Sequence, residues 1–248
     1  MHSLLSRKWW AIALSVFAML VMLANYALDL IGLPWNWLSL ARFTAIFFVM
    51  ALMYLFGNSK YGSMWRRLWR RFPTLNEKLF PDLNGIWIGT TSSNWPIIKK
   101  MKDPSIKNES SKKQEGDTLG LQENTIVIEI KASLISIKIS SYLESTDGES
   151  YSLTASARRC TNSEMIYLDY IYLQSTPDPA ACDEGLHMGA ASLCFDPNDK
   201  NTLSGTYWTR RSWRQGLNTA GKIYLTRIHD IMPSNKKLKH LASEHKKQ

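Results

Sequence analysis

Cysteine is scarce in this chain. Its 248 residues include only Cys160, Cys182 and Cys194. An odd number with no CxxC pair argues against a disulfide framework and fits a reducing compartment. The common catalytic motifs are also absent: there is no glycine-rich phosphate loop, no HExxH and no GxSxG. That sets aside the familiar nucleotide hydrolases, zinc proteases and serine hydrolases. Cys182 and His187 lie five apart with no second pair to complete a zinc site. Asp196 and Asp199 flank Pro197-Asn198, where carboxylates serve the turn. No enzyme activity, cofactor or metal is expected. Acidic residues are in the minority, 21 against 30 Lys and Arg, and the formal charge is +9. Such an excess suits an acidic partner: anionic lipid, nucleic acid or a phosphorylated ligand.

Long apolar runs occur only in the first quarter. Trp9 to Leu30 and Leu38 to Phe56 are each close to the twenty or so residues needed to cross about 30 Å of hydrocarbon. The connection Ile31-Gly32-Leu33-Pro34-Trp35-Asn36-Trp37 is short enough to force an antiparallel hairpin, and Trp9, Trp10 and Tyr26 fall where an aromatic belt would lie. The first run is too long for a signal peptide and has no small-residue cleavage site. Arg7 and Lys8 precede the pair, and Lys60, Arg66, Arg67, Arg70 and Arg71 follow it. The positive-inside rule then makes both termini cytoplasmic, in a multi-pass inner-membrane protein of a bacterial host. Asp29 and Arg42 are read as snorkelling to headgroups.

Residues 1–56 are thus expected to form a transmembrane hairpin and 57–84 a basic, aromatic juxtamembrane linker. In the linker Trp65, Leu68, Trp69 and Phe72 recur at i, i+3, i+4 and i+7 opposite arginines. That pattern reads as an interfacial helix on anionic inner-membrane lipid; no DNA or RNA polymer is expected as a partner.

After Gly85 the period changes to two. Strands are expected over Ile86–Ser92, Thr125–Lys131, Leu134–Tyr142, Glu149–Arg159, Met165–Gln174, Met188–Phe195, Thr202–Thr209 and Gly221–Ile228, with Asp147-Gly148 a hairpin turn. The fold class is therefore membrane α plus all-β. An N-terminal two-helix hairpin precedes an eight-stranded antiparallel β-barrel over 85–228, with a two-sheet sandwich as the alternative. Asn94–Leu121 is expected to be a long mobile loop, and 229–248 a disordered basic tail.

Arginine and aromatic residues concentrate at Arg158-Arg159 and in Tyr207-Trp208-Thr209-Arg210-Arg211-Ser212-Trp213-Arg214. Arg presents a planar fork to phosphate oxygens, and aromatic faces stack on bases for about 1–3 kcal/mol each. Arg158, Tyr207, Trp208, Thr209, Arg210, Arg211 and Trp213 are the candidate ligand-binding residues. Successive strand residues face opposite ways, and the sequence leaves open which set points inward. Trp87 is expected to plug the barrel, with Arg227 laid over it.

The layout resembles the two-transmembrane, β-strand-rich effectors of CBASS anti-phage systems. The residues that carry the resemblance are Asn84-Gly85-Ile86-Trp87-Ile88-Gly89, Leu203-Ser204-Gly205-Thr206-Tyr207-Trp208-Thr209 and Thr219-Ala220-Gly221-Lys222-Ile223-Tyr224-Leu225. The resemblance implies a barrel that binds a cyclic dinucleotide or cyclic oligonucleotide, forms a homo-oligomer on activation and disrupts the inner membrane, ending the infected cell. The alternative is a membrane-tethered, lipocalin-like carrier of lipid or a small apolar molecule.

Overall fold

The computed structural model describes residues 7–32, 37–56, 64–102, 120–133, 136–160, 162–179, 184–229 and 237–245. The chain divides into two compact units, one of residues 1–82 with 133–136 and one of the remainder.

The first unit is helical: α1 (Arg7–Leu30), α2 (Trp37–Phe56), α3 (Met64–Arg71) and α4 (Thr74–Lys78). Helices α1 and α2 meet through Phe17 and Phe48, whose ring centroids are 5.3 Å apart. Among the described residues, no helix is long and apolar enough to cross a membrane. This overturns the expected transmembrane hairpin, and with it the multi-pass inner-membrane placement with cytoplasmic termini. Helix α2 carries Arg42 within its second turn, and α1 carries Asp29 in its last turn. The membrane-disrupting output implied by the resemblance rested on those spans. The Leu33–Asn36 connection and Lys60 lie outside the described residues.

Helix α3 also departs from expectation. Its apolar face is divided between buried and exposed residues. Trp65 and Trp69 are buried and pack edge-to-face on one another at 5.5 Å, and Trp65 meets Phe80 at 6.2 Å. The Trp69 indole N–H donates to the Phe80 carbonyl. Arg66, also buried, pairs with Asp82 at 2.8 Å. Only Leu68 and Phe72 of the predicted stripe stay exposed.

The second unit is the expected barrel. Strands β1 (Gly85–Ser93), β2 (Gln122–Ala132), β3 (Ile137–Leu143), β4 (Gly148–Arg159), β5 (Ile166–Ser175), β6 (Leu186–Asp196), β7 (Asp199–Thr209) and β8 (Ala220–His229) pair in sequence order, all antiparallel. β1 closes on β8. Closure removes every sheet edge. It also needs close backbone approach: a Cβ on Gly89 or Gly221 would collide with the carbonyl oxygen of Tyr224 or Ser92 on the neighbouring strand.

Two elements lie where none was expected. The segment read as a loop from Asn94 begins with α5 (Trp95–Lys102). Pro96 occupies its first turn, where a backbone N–H would have no helical partner. The rest of that segment, 103–119, lies outside the described residues. The tail expected to be disordered carries α6 (Leu238–His245). Its Leu241 and Ala242 are buried with Ile86, Ile88, Val127 and Tyr142 on the outer wall of β1–β3.

Candidate functional site

The barrel interior has two halves. Alternation sends Trp87, Ile128, Leu168, Leu193, Phe195, Leu203 and Leu225 inward at one end, where each is almost fully buried. Trp87 is the floor. Its indole N–H donates to the Leu83 carbonyl at 3.1 Å, and the Arg227 guanidinium lies 4.4 Å from its ring centre. The same alternation sends polar and phenolic groups inward at the other end: Ser93, Asn124, Tyr172, Gln174, His187, Tyr207 and Thr209. They line a cavity of about 150 Å³ at the barrel mouth. A smaller pocket of about 50 Å³ adjoins it, shares Leu143, Tyr172, Gln174 and Tyr207, and is bounded further by Thr91, Ser150 and Tyr170.

Mouth connections complete the lining. Asn94 ties the start of α5 to β8: its N–H donates to the Ala220 carbonyl at 3.0 Å, and its Oδ1 accepts from the Ala220 N–H at 2.9 Å. Trp95 is thereby fixed on the rim. The Arg211 guanidinium sits 5.2 Å from the Trp95 ring centre, a cation–π geometry. Thr209 and Thr219 hold the β7–β8 connection closed through a hydroxyl pair at 2.9 Å. Ser212, at φ 40°, then turns the chain so that Arg211 lines the cavity while Trp213 is exposed.

Electrostatics keep this interior in donor form. Burial pushes the Tyr170 and Tyr172 phenols far above the ordinary value near 10, and raises Tyr207 as well against the opposing pull of Ser93 and Arg211. All three are neutral O–H groups at physiological pH. Tyr170 and Tyr172 pack at 5.9 Å. Tyr172 lies flat on Gly189, where an added Cβ would come 2.3 Å from its ring. Among the described residues no cluster of His, Cys, Asp and Glu could hold a metal.

The seven predicted binding residues separate. Tyr207, Thr209 and Arg211 share the cavity. Trp208 is on the outer face and half exposed. Arg210 is also exposed; its backbone N–H donates to the Met188 carbonyl, and its guanidinium lies 6.0 Å from Trp213. Trp213 packs against Arg210 and Arg214 outside the cavity. Arg158 is at the opposite end of its strand on the outer wall. There it pairs with Asp169 at 2.6 Å and covers the Tyr167 ring at 4.5 Å. Sequence reasoning missed Trp95, Gln122, Asn124, Tyr172, Gln174 and His187. Strand alternation would have united Tyr172 with Gln174 once either was known to face inward; joining Asn124 to them needs the barrel register as well. Cys182 lies outside the described residues.

No family model matches the chain. It is 29% identical over 164 residues to CD-NTase-associated protein 15 of Escherichia albertii, which covers 64% of this chain and 70% of that protein.

Proposed function

We propose, from that similarity and from the chemistry of the mouth, that the barrel is the sensing module of a CBASS anti-phage system and binds a cyclic dinucleotide or cyclic oligonucleotide. One observation carries the proposal: Arg211 stands over Trp95 on the rim of a cavity lined by neutral phenols and amides. A phosphodiester between two bases needs both partners. Arg supplies a charge-assisted fork for the phosphate, and an aromatic face takes a base. Tyr172, Tyr207, Asn124 and Gln174 offer hydrogen bonds to base edges and sugar. Lys99, Lys100 and Lys102 lie in the last turn of α5, the helix that begins at the rim with Trp95, and add positive charge that raises the local concentration of an anion. The role is one of binding, without turnover. Activation then requires that the ligand prefer an assembled state, here a homo-oligomer, over the resting one.

The lipocalin-like alternative is disfavoured because the deep half of the barrel is filled by its own side chains and the open half is polar. The test is calorimetry of the full chain against cyclic di-AMP, cyclic di-GMP, cyclic GMP–AMP and a cyclic trinucleotide. Saturable binding at micromolar or tighter Kd is expected for at least one. Absence of heat across the panel, with an apolar probe binding instead, would overturn the proposal.

A further inference from the structure

The C-terminal helix is tied to the cavity through a single carboxylate. The Lys239 ammonium on α6 bridges both oxygens of Asp147, at 2.7 and 2.8 Å. The Tyr142 hydroxyl donates to the same Asp147 at 2.6 Å. Tyr142 is also part of the apolar strip on which Leu241 and Ala242 rest. Asp147 closes the β3–β4 connection, directly after the turn Glu144–Thr146. In that turn Ser145 and Thr146 line the mouth cavity. One short hairpin therefore touches the site on its inner side and holds α6 on its outer side.

This hairpin has reasons to move when the site fills. The cavity of about 150 Å³ is small beside the roughly 300–1,000 Å³ of sites that bury drug-sized ligands, so a cyclic dinucleotide seated within it would widen the mouth. The Oγ1 atoms of Thr146 and Thr176 are buried without hydrogen-bond partners among the described residues. Both lie around Gly148 beside the Gln174 amide. Buried hydroxyls left unsatisfied favour any rearrangement that pairs them. Helix α6, for its part, cannot stand alone. Eight residues are too few for a stable isolated helix, so its structure depends on its seat.

We propose that α6 is a latch on the mouth. It is seated on the outer wall of β1–β3 while Asp147 holds Lys239. It is released, and melts, when a ligand widening the mouth carries Asp147 away, baring Ile86, Ile88, Val127 and Tyr142. The ligand-driven step rests on the cyclic-nucleotide reading; the latch itself does not.

The experiment is backbone hydrogen exchange on the full chain, followed over 238–245 and over β1–β3. Leu241→Asp, which cannot seat, defines the released rate. Asp147→Asn removes the charge that holds Lys239 while keeping a residue type that tolerates the left-handed φ of 50° at this position. Without any ligand, Asp147→Asn must raise α6 exchange about tenfold toward the released rate, with the other strands still protected. Unchanged exchange in that variant overturns the latch, whether or not any nucleotide binds. Any cyclic dinucleotide that binds the wild type by calorimetry must speed α6 exchange by a similar factor. Binding that leaves α6 exchange unchanged, or slows it, overturns ligand-driven release while sparing the binding site. If no cyclic nucleotide of the panel binds and an apolar probe binds instead, the functional reading falls, and the Asp147→Asn result alone decides the latch.

Discussion

Gly189 and Tyr172 set the shape of the cavity between them. The ring lies where a Cβ on residue 189 would stand, so Gly189→Ala must push the Tyr172 phenol across the mouth. The expected outcome is a folded barrel with little loss of stability, a cavity partly filled by its own tyrosine, and ligand affinity reduced about tenfold or more in calorimetry. At this scale the sequence was only half legible. Period two put Tyr207, Thr209 and Arg211 on one face and Trp208 and Arg210 on the other. It could not say which face turned inward, because both carry aromatics and arginine. Arg158 looked equivalent to Arg211. Only the register, which sets it opposite Tyr167 at the far end of β4, gives it to the outer wall and to Asp169.

The latch is an element-scale device, and pH tests it without ligand. Tyr142 is raised to about 12, first by burial and then by its bond to Asp147. Asp147 is lowered, first by Lys239 and then by Tyr142. A raised phenol contributes stability fully below the unfolded value near 10 and loses it as pH climbs to about 12. A lowered carboxyl contributes above about pH 4 and loses it as pH falls through its depressed value. The α6 contact is therefore expected to hold across the neutral range and loosen at both extremes. The Leu241 methyl resonances should report this by moving to solvent-exposed positions before the barrel unfolds. Resonances unchanged until global unfolding would contradict it. The floor is the second element to test. Trp87→Ala removes a fully buried indole and should cost about 3–5 kcal/mol in denaturant melts. The barrel strands and the Trp87–Arg227 stack were legible because alternation, turn residues and Gly85 agree. Helices α5 and α6 were not. Each is a single pair of turns whose lysines conceal the apolar positions Leu238, Leu241 and Ala242 in one case, and whose Pro96 reads as a breaker in the other.

Across the whole molecule, the charge of +9 and the lysines of α5 predict a salt-dependent encounter. Association with an anionic ligand should slow markedly between about 0.05 and 0.5 M salt while dissociation changes little, since the Debye length is about 10 Å at 0.1 M. Lys99→Glu with Lys100→Glu should slow association in stopped flow without altering the barrel melt. The N-terminal third misled for a physical reason. Composition counts every apolar residue as available to lipid, yet Trp65 and Trp69 are consumed by Phe80. The apolar runs of α1 and α2 are also broken by Asp29 and Arg42. On the proposed function the ligand binds at the barrel mouth. The most direct measurement sets Arg211→Ala beside Arg158→Ala and compares the cyclic dinucleotide affinity of both full-length variants with wild type. At least about a tenfold loss is expected for Arg211→Ala, as for a lost charge-assisted contact, and near-wild-type affinity for Arg158→Ala. Equal losses, or a loss confined to Arg158→Ala, would contradict it.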